Sequence, residues 1–581
     1  MNQEATSTQN TIKKRLADFS TLTAALDYAA TGITGANFYN ARGNLTAVLP
    51  YSKLREKALE YARKLNNLGL NRGDHVALVA ETEPEFIILF FACQYAGMVP
   101  YAMPVPTNLG SHKVYVQQLR RLLTAGEAKA AIANGDLISF LQEACNGLGL
   151  RWVGAFEQLV DIPCAESTLI PNLPDEPAYL QFTSGSTRFP RGVVITNNAV
   201  INNIRYSLCW LYQEDNNDRG ISWLPFYHDM GLVGFVLSPI AGQGSVDYLP
   251  TRAFAIRPLQ WLRLISRNRC SISFSPPIGY FLCTQRIHSD DLETLDLSCW
   301  RVAGVGAEMI RADILENFAD TMKSVGFDTR AFMPSYGLAE VSLAASLTDL
   351  NSGFSVMSVD ALAMAEREIA VPVMNKNNKV NHFVNCGRVF PGHAIKIVND
   401  QYQKLPDLHV GRVLIKGPSL MSGYFNADDA SSDTTLLNDG WLDTGDLGYI
   451  CQESLYITGR RKDLIIVNGR NIRPEDLEAI AEEEPKIRTG ETCAFDIVED
   501  EQRVVLVVEC RITDTNEIEE LIKRLQKRIY EWHGIYTHVE IAAPRTLPRT
   551  SSGKLSRSAA REQFRELANQ IKVTTNESEP T

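Results

Sequence analysis

The 581-residue chain predicts an α/β fold. Its expected form is a large N-terminal domain of sub-domains with mainly parallel sheets plus a small barrel-like β region, and a smaller, mobile C-terminal α/β domain. Three observations predict the parallel sheets and the separate C-terminal α/β domain; the sub-domains, the barrel-like region and the mobility are implied by the resemblance described below. Strand-like and helix-like segments alternate along most of the chain, as in parallel sheets covered by helices. The length exceeds the roughly 250–300 residues at which one hydrophobic core stops growing, so at least two domains are needed. Near Thr458–Lys462 (TGRRK) the pattern changes from short strands with Gly and Asp turns to a fresh strand–helix–strand–helix unit.

Taken in order, Tyr51–Leu68 places Leu54, Ala58, Tyr61, Leu65 and Leu68 on one helical face, and Gly69 follows as a helix stop. His75–Val79 reads as a buried strand and Pro84–Tyr95 as a largely apolar helix. The alternation continues through Ala130–Ala133 and Val193–Ile195 toward Trp300–Val305. Gly423–Asn426 and Asp439–Ile450 read as short strands with turns. Beyond the boundary, Leu464–Val467 and Val504–Glu509 read as strands, Pro474–Ala481 and Glu517–Trp532 as helices. The expected division is residues 1–458, then 463–572, then a disordered tail at 573–581.

A hydrophobic content of 45% with 22% charged residues excludes a disordered or fibrous chain. Lys+Arg 57 against Asp+Glu 68 gives −11, so no bulk positive field draws the protein to nucleic acid or anionic lipid. The 11 cysteines form no C-x-x-C pair, and the 9 histidines show no zinc-ligand spacing. Buried free thiols in a reducing compartment are expected. The first residues lack the apolar core of a signal peptide, and Phe86–Gly97 is too short to cross a bilayer. A cytoplasmic protein with no stable membrane insertion is expected.

Chemistry concentrates in four segments. Tyr179–Val193 (YLQFTSGSTRFPRGV) runs from a strand into Thr183, Ser184, Gly185, Ser186 and Thr187, small and hydroxyl-bearing residues that let backbone N–H groups approach an anion. Arg188 and Arg191 add positive charge. The Walker pattern does not follow Gly185, which argues against a P-loop NTPase. Met333–Glu340 (MPSYGLAE) offers an aromatic face for a purine and a carboxylate for Mg²⁺. Trp441–Gly448 (WLDTGDLG) reads as a turn presenting Asp446, suited to a ribose diol. Leu547–Leu555 (LPRTSSGKL) places Lys554 on a loop before a helix starting near Ser556. Each alone also fits a plain surface role.

Together, in this order, they resemble the adenylate-forming superfamily of acyl- and aryl-CoA synthetases, luciferases and peptide-synthetase adenylation domains, over about Leu49 to Leu567. The resemblance implies ATP and Mg²⁺ as cofactors. It implies that Thr183–Thr187 closes over the ATP phosphates, that Tyr336, with Ser335 and Gly337, stacks on adenine, and that Gly306, Ala307 and Glu308 line the other face of the base. Glu340 would help hold Mg²⁺, Asp446 bind the ribose hydroxyls, Arg460 reach ribose and phosphate, Lys462 serve as the hinge and Lys554 as the catalytic lysine. Two departures stand out: Arg188 replaces the family's glycine and Arg191 its lysine, with a wider guanidinium geometry.

Ser222–Ser238 (SWLPFYHDMGLVGFVLS) resembles fatty acyl-AMP ligases in particular, with His228 approaching the carboxylate. Phe235, Ile240 and Ser275–Phe281 are candidate walls of a hydrocarbon tunnel for a long-chain fatty acid. Between Glu340 and Cys386 the chain is longer than in CoA-forming members, with an insertion at about 350–380. Ser358–Ala370 there reads as an amphipathic helix with Leu362, Ala365 and Ile369 inward, followed by polar Asn375–Asn378. The resemblance implies that this insertion packs on the small domain and that the acyl group goes to a holo, phosphopantetheinylated acyl carrier protein. The basic run Lys523–Arg528 is a candidate carrier-protein face. A fatty acyl-CoA synthetase and a non-catalytic nucleotide- or lipid-binding relative are the competing readings.

Overall fold

Alternating strands and helices build two large sheets in the computed structural model, which describes residues 4–7, 12–106, 112–166, 168–183, 190–211, 217–373, 379–426, 435–467, 470–498, 502–550 and 555–565. The seven-stranded sheet has five parallel strands: Pro177–Thr183, Val99–Met103, His75–Val79, Ala130–Ala133 and Trp152–Ala155. Arg191–Thr196 and then Gly423–Phe425 extend it antiparallel at one edge.

The nine-stranded sheet has a parallel centre running from Phe332–Gly337 through Val302–Val305, Ile272–Ser275, Arg219–Ser222 and Ser245–Tyr248 to Gly35–Tyr39. Antiparallel strands close both of its edges. One apolar cluster joins the two sheets, with Val76 and Leu78 from the first and Ile221 and Val246 from the second. Helix Pro84–Ala96 lies inside it, with every residue from Phe86 to Ala96 buried. That is why its sequence is apolar all round, and each such large side chain contributes roughly 1.5–3 kcal/mol. Helix Tyr51–Asn67 is amphipathic instead, burying Leu54, Ala58, Tyr61 and Leu65. Leu68 caps it, half-buried, and Gly69 stops it at φ 72°.

The barrel-like region takes the form of a five-stranded antiparallel sheet of Ala394–Val398, Gly411–Lys416, Leu442–Cys451, Thr435–Leu436 and Ser454–Arg460. The expected turn at Trp441–Gly448 is corrected here: Asp446 lies within the strand Leu442–Cys451. Pairing on both sides holds that segment extended, and Gly445, at φ 72°, absorbs its local irregularity.

After the turn Arg461–Asp463 comes a smaller α/β domain. Thr492–Val498 pairs antiparallel with Gln502–Glu509, which pairs in parallel with Thr537–Ala542. Helix Thr515–His533 makes the crossover, capped by Asp514 at its start and stopped by Gly534 at φ 67°. The helix expected near Ser556 begins at 557 and is helical through the last described residue, 565. The expected tail at 573–581 lies outside the described residues. All 11 cysteines are free, and among the described residues no helix is long and apolar enough to cross a membrane.

Candidate active site

In open parallel sheets ligands sit beyond the carboxyl ends of the strands. Here those ends, the antiparallel sheet and the C-terminal domain enclose a cleft of about 2260 Å³. Strand Val302–Val305 delivers Gly306–Glu308 to it, and Phe332–Gly337 delivers Ser335, Tyr336 and Gly337. Gly306 backs onto Ser335: a Cβ there would stand 2.6 Å from the Ser335 hydroxyl oxygen, so only glycine permits the approach. Ser335 Oγ in turn donates to the Val305 carbonyl at 3.0 Å. Ala307 sits at φ 69°, an uncommon conformation for a side-chain-bearing residue. Ala307 and Glu308 line the cleft.

Tyr336 and Asp446, far apart in sequence, meet through the Tyr336 hydroxyl, which donates to Asp446 Oδ2 at 2.7 Å. Asp446 is buried, and burial, followed by that carboxylate, pushes the Tyr336 phenol well up. Arg460 stands opposite Asp446 in the strand register, and its Nε lies 3.1 Å from Asp446 Oδ1. Register alone therefore fixes the Asp–Arg pair, a contact the sequence motif did not display.

Glu340 occupies a buried turn, Ala339–Val341, rather than a solvated helix, and accepts from the Tyr424 hydroxyl at 2.7 Å. Burial raises its carboxyl above the ordinary range. Arg191 lies over the Tyr424 ring, 5.4 Å from its centroid, which puts the phosphate-loop arginine beside Glu340's partner. Thr183 ends its strand at the cleft. Ser184, Gly185, Ser186, Thr187 and Arg188 lie outside the described residues.

His228 precedes a short helical turn, with Nδ1 2.6 Å from Asp229 Oδ1, and both line the cleft. Gln181 of strand Pro177–Thr183 donates to the Tyr227 carbonyl at 2.8 Å and fixes that segment to the sheet. Beyond it Leu232–Leu237 forms one turn of π-helix, a feature often found at functional sites and without a sequence signal here. Gly234 and Phe235 line the cleft with Ile278 and Phe281, whereas Ile240 and Tyr280 belong to the packed core. Trp223 and Phe254, stacked at 3.8 Å and 8°, form a further wall that the sequence reading missed.

Lys554 lies outside the described residues. Its flanks are placed: Arg549 and Leu555 bridge antiparallel across the neck of that loop, and Arg549, Thr550 and Leu555 all line the cleft. Lys462, in the turn Arg461–Asp463, lines it too.

The segment expected to be an insertion is a hairpin of Val356–Asp360 and Val380–Val384 carrying helix Ala361–Arg367. The expected inward face is corrected. Asp360 caps the helix through the Ala363 N–H; Ala363 and Met364 are buried, Met364 packing with Val359, Phe383, Tyr449 and Tyr456, while Leu362 is 45% exposed. Glu368 at φ 55° ends the helix, so Ile369 lies outside it. Lys379 donates to the Glu531 and Trp532 carbonyls, both at 2.5 Å, and Asn471 donates to Glu368 at 2.7 Å. The insertion therefore grips the C-terminal domain. Asn375–Asn378 lie outside the described residues. In the basic run, Arg524 and Arg528 bond Glu484 and Glu483 of their own domain.

The AMP-binding enzyme family matches residues 39–425. The chain belongs to this family, in the adenylate-forming superfamily, and its similarity places it with the fatty acyl-AMP ligases. A solved structure from work on fatty acyl-adenylate ligases of E. coli and L. pneumophila is 44% identical, with a TM-score of 0.91 over 96% of this chain and 100% of that one. A Caulobacter vibrioides protein named "Putative acyl-CoA synthetase" is 44% identical over 94% of this chain and 96% of its own. The medium-chain-fatty-acid–[acyl-carrier-protein] ligase JamA of Moorena producens is 31% identical over 94% of this chain and 96% of its own. The chain is a fatty-acid-activating, ATP-dependent ligase.

Proposed function

We propose that the protein joins a long-chain fatty acid to AMP and then hands the acyl group to the phosphopantetheine thiol of a holo acyl carrier protein. In the first step a carboxylate oxygen bonds the α-phosphorus of ATP while the bond to pyrophosphate breaks. In the second the thiol sulfur bonds the acyl carbon, AMP leaves, and the thiol proton is released. Residues 1–458 act as the nucleotide- and acid-binding body, and 463–572 as a lid turning about Lys462.

Thr183–Thr187 and Arg191 embrace the phosphates, and Gly306–Glu308 and Ser335–Gly337 hold the base between them. Asp446 and Arg460 take the ribose, and His228 orients the carboxylate. Lys554 spans the two crowding anions, where an ammonium offsets their repulsion best with water excluded. Glu340 offers one buried carboxylate, which fits a Mg²⁺ carried mainly by phosphate oxygens and water; bound there, the ion would neutralise developing phosphate charge. A long apolar chain suits the Phe235, Ile278 and Phe281 wall, since each buried CH₂ adds about 0.8 kcal/mol.

The observation that supports the choice of acceptor is the contact of Lys379 and Glu368 with the C-terminal domain, since the family resemblance implies that such an insertion hinders the lid rotation used for CoA thioester formation. The name of JamA supports a carrier protein, and that of the Caulobacter relative supports CoA. The deciding experiment supplies enzyme, ATP and fatty acid with either CoA or a holo carrier protein. Acyl-carrier protein without comparable acyl-CoA is expected; rapid acyl-CoA formation would overturn the assignment.

A further inference from the structure

The segment that follows strand Val302–Val305 reaches the C-terminal domain three residues beyond Glu308. Arg311 is gripped by Asp313, Nε to Oδ1 at 3.1 Å and a terminal nitrogen to Oδ2 at 2.7 Å, a two-pronged fit of guanidinium on carboxylate. Its other terminal nitrogen donates to Glu482 Oε2, across the domain boundary. Glu482 ends helix Pro474–Glu482, and its side chain is only 7% exposed. Its second oxygen accepts from the Gly490 N–H at 2.7 Å and the Thr492 hydroxyl at 3.0 Å. Each partner is thus held within its own domain by bonds independent of the other, so little side-chain entropy remains to be lost when they meet. Both line the cleft, as do Arg549, Thr550 and Leu555 around the lysine loop.

We infer that Arg311 and Glu482 are positioning residues that dock the C-terminal domain on the nucleotide-lining segment in the orientation that serves adenylation. The inference rests on the proposed adenylation reaction. It separates the two half-reactions: docking matters while acyl-AMP forms and is dispensable once acyl-AMP is supplied.

The test uses the full chain with Arg311→Met, Glu482→Gln and both together. Glu482→Gln keeps an acceptor for Gly490 and Thr492, so the C-terminal domain is left intact. Fatty-acid-dependent ATP–pyrophosphate exchange is compared with acyl transfer from supplied acyl-AMP to the holo carrier protein. Each single change is expected to lower kcat of exchange about tenfold, the coupling expected of one interdomain contact, with KM for fatty acid within about twofold. The double variant should be no worse than the weaker single, and transfer from supplied acyl-AMP should match wild type. Equal losses in both half-reactions, additive losses in the double, or undiminished exchange would overturn the docking role. Absence of exchange in the wild type would instead overturn the adenylation reading on which it rests.

Discussion

Asp446 shows what a single residue's sequence context reveals and hides. Its motif suggested a ribose partner, but the flanking glycines read as a turn, and the Tyr336 and Arg460 contacts needed strand register and a second sheet to appear. An Asp446→Asn variant keeps the shape and loses the charge. Charged hydrogen bonds contribute about 1.5–3 kcal/mol each, so kcat/KM for ATP should fall on the order of 10²-fold while KM for fatty acid holds. Steady-state kinetics of acyl-AMP formation with each substrate varied checks this. A loss confined to the fatty acid would take Asp446 away from the nucleotide.

Among the elements, long periodic helices and apolar strands were legible because each buries one regular face or all of itself, as Tyr51–Asn67 and Pro84–Ala96 do. Short helices were not: Ala361–Arg367 is only seven residues long, its inward face is chosen by the cluster of Val359, Phe383, Tyr449 and Tyr456 it packs on, and spacing alone chose Leu362 wrongly. The π-turn Leu232–Leu237 and the positive φ of Ala307 come from tertiary packing and leave no local trace.

Helix Pro474–Glu482 carries a further consequence. Glu478, its side chain 12% exposed, lies beside Arg557 at 2.7 Å, and that one guanidinium also meets Glu475 at 3.0 Å and Asp463 at 3.8 Å. Burial pushes the Glu478 carboxyl from 4.5 up to about 7. A raised carboxyl binds its proton more tightly folded than unfolded, so stability falls as pH rises from the ordinary carboxylate range through about 7. Glu478→Gln removes that titration. The variant should therefore lose less thermal stability than wild type as pH rises from the ordinary carboxylate range toward about 7. Parallel melting-temperature profiles across that range would contradict the assignment.

For the whole molecule, alternation predicted mainly parallel sheets, and the change of pattern near Thr458–Lys462 predicted a smaller C-terminal α/β domain; both are present, the sheets numbering two with antiparallel edges. The antiparallel edges were not legible, since an edge strand is chosen by its partner as much as by its own residues. The resemblance implied that the insertion packs on the small domain, but the residues that make the contact, Lys379 and Glu368, and the separate contact of Arg311 were not legible, since they depend on how the two units sit together. The order of the motifs nonetheless named the chemistry, through the resemblance to the adenylate-forming superfamily that it carries: nucleotide, acid and ammonium are to meet in one cleft. That meeting is the central claim, and ATP–pyrophosphate exchange tests it most directly, with wild type and Lys554→Ala across fatty acids of increasing length. The account predicts robust exchange in wild type and a loss on the order of 10² or more in the variant, the scale of one preorganised donor to transition-state charge. Near-normal exchange by Lys554→Ala would contradict it.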